Sequence, residues 1–245
     1  MDRLVYDRMD ALEEAHWWFA ARRDIIAKII GRLAKLPARP CILEAGCGTG
    51  GNLALLSSFG EVDAFEYDTE AASRAERKSG LSVPFGALPD QIPHGDTSYD
   101  LIGLFDVLEH VEDHVGTLRA LGGRLGPNGR VIVTVPALPW LWSKHDERHH
   151  HFRRYTRRSL RKAAAEAGLQ VDRSFYFNFF LLPVAMGLRA AKAALGKDAP
   201  DDTMPSSRLN RALYNVFSSE RHLIGRVSLP VGLSVCAVLK RGDAS

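Results

Sequence analysis

The stretch CILEAGCGTGGN, residues 41–52, decides the fold. Its first residues form a short apolar run, which is typical of a buried strand. The run enters a cluster of glycines, which let the main chain turn tightly and approach a ligand closely. A helical pattern follows over residues 52–59. A strand, a glycine turn and a helix in this order predict a ligand site at the carboxyl end of the first strand of an α/β sheet.

Strand and helix patterns alternate after this stretch. The run at 131–133 is entirely β-branched, as in strands that are buried on both faces. Alternation of this kind predicts an α/β fold with a doubly wound, mostly parallel, Rossmann-like sheet of seven strands. After the strand at 41–44, we expect strands at 61–66, 81–85, 99–105, 130–135, 171–177 and 232–240, and helices at 69–78, 113–125 and 157–167.

Two helical segments flank this core. Apolar residues at helical spacing predict a helix over residues 1–36, which Pro37 ends. A helical insertion is expected over 179–225, with a polar linker at 197–207. The predicted organisation is therefore an N-terminal helical lid at 1–36, a core made of 37–178 and 226–245, and the insertion between the last two strands.

The composition excludes several classes of protein. The 245 residues are 46% hydrophobic and 25% charged, with a net charge of +3, which argues against a disordered or fibrous chain and against nucleic-acid binding by the whole surface. Three cysteines make no disulfide framework and predict reduced thiols in the cytoplasm. Residues 1–14 lack the apolar segment of a signal peptide, and the apolar stretch at 175–188 is too short to span a bilayer.

The glycine turn supports two interpretations. Gly46, Gly48 and Gly51 satisfy the dinucleotide pattern G-x-G-x-x-G, which is weak evidence by itself. A dinucleotide turn directs main-chain amides at a pyrophosphate. The carboxylate of Glu44, two residues before the first glycine, would repel that group and would suit a ligand with a cationic amino group.

Three motifs resemble one family. The acid-x-Gly-x-Gly-x-Gly pattern at 44–50 resembles the cofactor loop of class I S-adenosylmethionine-dependent methyltransferases. The segment YDLIGLFDVLEHV at 99–111 and the turn LGPNGRVIVT at 125–134 resemble two further motifs of that family, with Asn128 at a usual glycine position. The resemblance covers residues 40–177 and the last strand, and is closest to the small-molecule, type 11 branch. It implies an antiparallel last strand.

The resemblance also implies the cofactor, S-adenosyl-L-methionine, and the residues around it. Ala87 stands where the family usually offers an acid to adenine, so its main chain would have to serve. The implied cofactor residues are Glu44, Ala45, Gly46, Cys47, Gly48 and Gly50 for the methionine part, Glu66 for ribose, Tyr67, Ala87 and Leu88 for adenine, Phe105 and Asp106 at the sulfonium, and Trp18 and Arg23 from the lid.

A basic segment follows the fifth expected strand. Residues 144–162 carry eight Lys or Arg, two acids and four His, a net charge of +6. We expect Arg153, Arg154 and Trp140 to bind an acceptor with an anionic group, because arginine binds carboxylate and phosphate in a bidentate way. Metal binding by the histidines is the alternative, but their spacing matches no dedicated site, so no metal is predicted. The remaining charges would form a solvated face.

The chemistry depends on the acceptor. A hydroxyl acceptor would want a general base, for which His145 and His151 are the candidates, and Tyr155 is the third expected catalytic residue, as a hydrogen-bond donor. A carboxylate acceptor would need none. The predicted function is methyl transfer to a small or amphipathic acceptor, with an NAD(P)-dependent oxidoreductase or a non-catalytic binding module as alternatives.

The predicted function also indicates which partners to expect. The acceptor is expected to be a small or lipid-like molecule, and no nucleic acid is expected. The apolar insertion would cover the active site, form a homodimer or, through residues 179–195, make peripheral contact with a membrane.

Overall fold

The computed structural model describes residues 3–187 and 204–242. Its α-helices with both ends described are α1 (Arg3–Leu12), α2 (Trp17–Ile29), α3 (Leu53–Ser57), α4 (Thr69–Ser79), α5 (His114–Gly123), α6 (Lys144–Arg148), α7 (Arg157–Glu166) and α8 (Ser207–Ser219). The strands are β1 (Cys41–Ala45), β2 (Glu61–Phe65), β3 (Tyr99–Phe105), β4 (Leu125–Pro136), β5 (Leu169–Phe177) and β6 (Ser234–Arg241).

The strands form one sheet in the order β2-β1-β3-β4-β6-β5. β1 pairs in parallel with β2 and β3, and β3 with β4, whereas β6 runs antiparallel to both β4 and β5. The predicted doubly wound, mostly parallel fold with an antiparallel last strand is thus confirmed. The carboxyl ends of β1, β2 and β3 meet at one edge, where the glycine turn lies.

The expected strand at 81–85 is reduced to a single bridge between Glu66 and Phe85, so the described sheet has six strands and not seven. Pro84 has no amide hydrogen and cannot extend a ladder. The segment still supports the edge, because the Glu66 amide donates to the Pro84 carbonyl and the Gly86 amide donates to the Glu66 carbonyl.

Apolar side chains cover both faces of the sheet. On one face, α5 and α7 pack on the strands through residues such as Leu118 and Leu160. On the other face, α2 packs through Ile25 and Ile29, and α8 joins it through Phe217. All of these side chains are buried, and burial of this kind is the main favourable term in folding. The helices therefore hold the carboxyl edge of the sheet in a fixed place.

The N-terminal segment departs from the predicted single helix. It breaks at residues 13–16, where His16 caps α2 by accepting from the Trp18 amide, and α2 continues as a π-helical turn at Ile30–Ala34. The break leaves α1 to lie across the carboxyl edge of the sheet.

The helical insertion is seen in part. Residues 182–187 are helical, and α8 begins at Ser207, whereas most of the predicted linker at 197–207 and the stretch 188–195 proposed for membrane contact fall outside the described residues. Within the described ranges, every helix is too short or too polar to cross a bilayer.

Candidate active-site cleft

The glycine turn forms the floor of a cleft of about 450 Å³ at the carboxyl edge of the sheet. The amides of Gly46 and Cys47 donate to the Phe65 carbonyl, which ties the turn to the end of β2. Gly48 has a φ of 57°, a backbone conformation that favours glycine, and a side chain there would meet no atom within 4 Å. The turn therefore leaves open space above the main chain.

Glu44 ends its strand with a buried carboxylate in the cleft wall. Its Oε1 atom accepts from Asn52 Nδ2 at 2.8 Å, but its Oε2 atom is buried without a partner. Burial raises the pKa of Glu44 to about 8, against a smaller lowering by the Asn52 hydrogen bond. An unpartnered buried acceptor is costly, so this oxygen marks the place of a missing donor.

Glu66 is a second buried carboxylate, at the tip of β2. Its Oε2 accepts from the Gly48 amide at 2.8 Å, and its Oε1 accepts from the Asp68 amide at 3.0 Å and from the Tyr6 hydroxyl at 3.3 Å. Burial raises the pKa of Glu66, and these main-chain donors oppose the rise. The carboxylate thus joins β2, the glycine turn and α1.

Helix α1 closes one side of the cleft. Tyr6, Met9 and Glu13 line it, and Glu13 accepts from the Thr49 hydroxyl at 2.7 Å. The helix is held on α4 by ion pairs that join Asp7 and Asp10 to Arg74, and Asp10 and Glu13 to Lys78. These contacts hold α1 beside the glycine turn, and the lid expected for residues 1–36 stays a prediction.

Arg22 and Asp106 form a buried ion pair on the opposite wall. Arg22 Nη2 lies 2.6 Å from Asp106 Oδ2 and donates to the Thr134 hydroxyl at 3.0 Å, with its guanidinium 5.2 Å from the Trp18 ring centre. Asp106 has a positive φ of 55°, which is uncommon for a residue with a side chain. The pair places a fixed positive and a fixed negative group side by side near the end of β3.

One end of the cleft is aromatic. Tyr67 is 69% exposed and lies against Phe85, with 5.7 Å between the ring centres. Ala87 and Leu88 also line the cleft. A flat aromatic face suits a planar ring such as a nucleobase.

His110, Glu112 and Phe152 line the other end of the cleft, beyond Asp106. Phe152 is half exposed and forms part of the rim. Burial, followed by the neighbouring His151 and His149, lowers the pKa of His110 to about 3, which keeps its imidazole neutral. This end therefore offers an apolar ring and an uncharged imidazole to a second ligand.

Most of the predicted cofactor residues meet in this cleft. Three do not line it: Ala45 is buried in β1, Gly50 packs against Ala75, and Trp18 lies behind Arg22. The predicted residues that do line it are Glu44, Gly46, Cys47, Gly48, Glu66, Tyr67, Ala87, Leu88, Phe105, Asp106 and Arg23.

The predicted acceptor arginines are not placed in the cleft. Arg153 donates to the main-chain carbonyls of Val111 and Glu112 at 2.6 and 2.9 Å. Arg154 binds Asp146 at 2.7 Å and donates to the Ala137 carbonyl at 3.1 Å. Both guanidinium groups hold the acceptor side of the edge together, because each of them bonds two oxygens of the protein.

The three predicted catalytic residues, His145, His151 and Tyr155, also lie outside the cleft lining. Tyr155 is buried, with its hydroxyl 3.0 Å from His114 Nδ1, and His151 Nδ1 lies 3.0 Å from Asp146 Oδ1. His145 lies with its ring centre 4.2 Å from that of His149. Trp140, predicted to bind the acceptor, is 63% exposed and is likewise absent from the lining.

Sequence reasoning missed several lining residues. Tyr6 and Met9 on α1 and Glu13 just after it belong to a segment without any motif, and Phe152 reaches the rim only through the path of the loop after β4. Arg22 could have been predicted as a cofactor residue, because it is next to Arg23, the arginine predicted for that role, on the same helix. Arg23 donates to the Glu13 and Glu14 carbonyls, whereas Arg22 is the buried member of the pair.

The sequence matches known proteins over the part that carries this cleft. A family model described as a methyltransferase domain matches residues 18–174. A ubiquinone biosynthesis O-methyltransferase of Methylocella silvestris is 33% identical over 99 residues, which cover 38% of this chain and 39% of that protein. A probable S-adenosylmethionine-dependent methyltransferase of Mycolicibacterium smegmatis is 32% identical over 128 residues, or 51% of this chain and 48% of that protein. The matches thus span less than half the length of these relatives.

Solved structures share the fold at low sequence identity. A putative sarcosine dimethylglycine methyltransferase from Galdieria sulphuraria has a TM-score of 0.60 at 20% identity, covering 91% of this chain and 86% of its own. An S-adenosylmethionine-dependent methyltransferase from Clostridium acetobutylicum has a TM-score of 0.58 at 12% identity, covering 91% of this chain and 92% of its own.

Proposed function

Since the chain belongs to the methyltransferase-domain family of class I S-adenosylmethionine-dependent proteins, we propose that it transfers the methyl group of S-adenosyl-L-methionine to a small-molecule acceptor. The match to a family model over residues 18–174 includes β1 to β4 and most of the residues that line the cleft.

The unpartnered Oε2 atom of Glu44 carries this proposal. The oxygen is buried in the cleft wall and has no hydrogen-bond donor. The α-amino group of S-adenosylmethionine is a cationic donor, so it would satisfy this oxygen and offset the burial of the carboxylate. A pyrophosphate would instead add a negative charge beside Glu44, which disfavours a dinucleotide.

The other cleft residues suit the remaining parts of the cofactor. Glu66 would bind the ribose hydroxyls at Oε1, the oxygen that accepts from Tyr6, and Tyr67 would pack on adenine. The Arg22 guanidinium has its Nε buried without a partner and would bind the methionine carboxylate. Arg23, predicted for that role, is the weaker candidate because two carbonyls already occupy its donors.

Positioning supplies most of the catalysis in this proposal. When bound, S-adenosylmethionine supplies a methyl group on a positively charged sulfur, so that an acceptor nucleophile can displace the sulfur in line. Asp106 and Phe105 would lie beside that sulfur, one offering negative charge and the other an aromatic face. Cover by α1 would exclude water from the reacting atoms.

The acceptor would enter at the end lined by His110, Glu112 and Phe152. Arg153 and Arg154 bond protein oxygens and do not line the cleft, so neither guanidinium is placed to bind an anionic group there. We therefore propose a small acceptor with an apolar part and no required negative charge. His110 lines this end, and we propose that it, in place of His145, His151 and Tyr155, is the side chain that faces the acceptor.

Calorimetry with purified protein tests the cofactor assignment. We expect S-adenosylhomocysteine to bind one molecule per chain and the oxidised nicotinamide dinucleotide to give no heat. Binding of the dinucleotide without S-adenosylhomocysteine would refute the proposal. A transfer assay with S-adenosylmethionine that carries a radiolabelled methyl group, run on a panel of small phenols, amines and acids, then shows which class of acceptor is methylated.

A further inference from the structure

Three metal-ligand side chains meet beside the acceptor end of the cleft. Glu109, His110 and His151 each contribute one ligand atom, and these atoms lie within 4.8 Å of one another. Glu109 and His110 come from the 3-10 turn after β3, and His151 comes from the loop after β4. The His110 and His151 rings stand nearly perpendicular, with 4.6 Å between their centres.

The Glu109 carboxylate gives an independent sign of a ligand. Its side chain is only 1% exposed, and its Oε2 atom is buried without a hydrogen-bond partner. A buried carboxylate oxygen without a donor is destabilising unless a cation or a donor satisfies it. Arg22 and Arg154, the neighbouring guanidinium groups, are engaged with Asp106 and Asp146.

Both imidazoles are oriented through one ring nitrogen. His151 Nδ1 lies 3.0 Å from the buried Asp146 carboxylate, which is itself held by Arg154. A ring nitrogen of His110 is hydrogen-bonded to the main chain of His149. A carboxylate or carbonyl on the second nitrogen is the arrangement that fixes metal-bound histidines and leaves the first nitrogen free to bind.

We propose that Glu109, His110 and His151 bind one divalent transition-metal ion, with a fourth coordination position open toward the cleft. Two imidazole nitrogens and one carboxylate favour ions such as Zn²⁺ over Mg²⁺ or Ca²⁺, which prefer oxygen ligands. Asp106 is not a ligand, because Arg22 and Thr134 occupy its two oxygens. Three protein ligands with one open position are typical of metal sites that bind a reactant.

The open coordination position of the proposed metal ion indicates which atoms the acceptor must carry. His110 is both a proposed ligand and part of the cleft lining. If the cleft holds an acceptor as proposed above, an oxygen or nitrogen donor of that acceptor binds the metal there. This second statement rests on the proposed function, whereas the metal site itself does not.

Cobalt titration of purified, chelator-treated full-length chain tests the site. We expect one Co²⁺ per chain, with the intense visible absorption of four-coordinate cobalt, and a change in that absorption when azide is added to fill the open position. Glu109→Gln and His151→Ala should each weaken Co²⁺ binding by about tenfold or more, the scale seen for changes around metal ligands.

His149→Ala is the matched control. His149 lies near the site, with its ring 5.7 Å from that of His151, but it offers only its main chain to His110. This variant should bind Co²⁺ like the wild type. Loss of binding in His149→Ala together with wild-type binding in Glu109→Gln would place the metal on the surface histidines and overturn the proposal.

S-adenosylhomocysteine binding, measured on the same samples, separates the two proposals. Wild-type protein that binds S-adenosylhomocysteine but no Co²⁺ would refute the metal site alone. Protein that binds Co²⁺ but no S-adenosylhomocysteine would refute the cofactor assignment alone. Should His151→Ala fail to fold, Glu109→Gln, which keeps the shape of the side chain, decides the outcome.

Discussion

The charged side chains in the two halves of the carboxyl edge differ in whether the protein itself supplies their hydrogen-bond partners. In the half around the glycine turn, Glu44 keeps one buried oxygen without a donor. In the half after β4, Arg153 and Arg154 are engaged with main-chain oxygens and with Asp146. Both halves carry many charges in sequence, but Arg153 and Arg154 bond oxygens of the protein, whereas Glu44 keeps a strong acceptor in the cleft wall.

This difference shows that the density of charge is a poor guide to a ligand site. The +6 segment at 144–162 holds the loop after β4 in place through internal ion pairs and carbonyl contacts. What marks a ligand is a buried polar atom whose partner is absent, because such an atom is costly in the free protein. By that criterion, Glu44 and Glu109 stand apart from Arg153 and Arg154.

The largest expected effect tests the structural role of the basic half. Arg154→Ala leaves the fully buried Asp146 carboxylate without its main cation, and breaking a buried ion pair costs about 3–5 kcal/mol. We expect the free energy of unfolding, measured by urea titration, to fall by that amount, while S-adenosylhomocysteine affinity in the folded protein stays near that of the wild type. Arg158→Ala, on the exposed face of α7, is the control and should change stability little. If Arg154→Ala were as stable as the wild type, the structural role would be wrong, and the predicted role of Arg154 in binding the acceptor would stand again.

A smaller effect is expected on the cofactor half. Glu44→Gln keeps the side-chain shape and removes the charge that would face the ligand amino group. Because a hydrogen bond to a charged group contributes about 1.5–3 kcal/mol, S-adenosylhomocysteine should bind about 10- to 150-fold more weakly by calorimetry. Asp63→Asn, an acid on β2 that accepts from Tyr99 outside the cleft, is the matched control. Equal affinity in Glu44→Gln and wild type would contradict the central assignment.

The pH dependence of binding gives the smallest and sharpest test. Burial raises the pKa of Glu44 from 4.5 to about 8, so in the free protein its ionisation is disfavoured, and stability is lost as pH rises through this range. A cationic ligand requires the carboxylate, so binding releases a proton and affinity rises with pH until about 8, by at most about tenfold per unit. Calorimetry in buffers of different ionisation heat detects the proton. Glu44→Gln should show neither effect, and a flat wild-type profile would speak against the assignment.

Much of the fold was predictable because its signals are local. The β-branched run at 131–133 and the glycine turn at 46–51 each fix a structure through their own residues. The prediction of a strand at 81–85 was wrong, because a short apolar run does not show whether Pro84 interrupts the hydrogen-bond ladder. The break at 13–16 was missed because helical spacing continues across it.

The cofactor side of the site was more predictable than the acceptor side for a related reason. Glu44 and Glu66 lie within a few residues of strand ends, and strand ends meet at a known edge. Arg154, His151 and Tyr155 lie in a loop whose path decides whether a donor meets a ligand or a carbonyl. Spacing in the sequence carries no information about that path, and so the partners of these side chains were not foreseen.

Helix α1 sits before the first strand and outside the segment matched by the family model, yet Tyr6, Met9 and Glu13 form one wall of the cleft. A chain shortened to begin at Trp17 would still contain every described strand, but it would lack this wall of the cleft. Water would then replace the Tyr6 hydroxyl beside Glu66 and the Glu13 carboxylate beside Thr49. The segment before the first strand thus sets how far solvent enters the cleft.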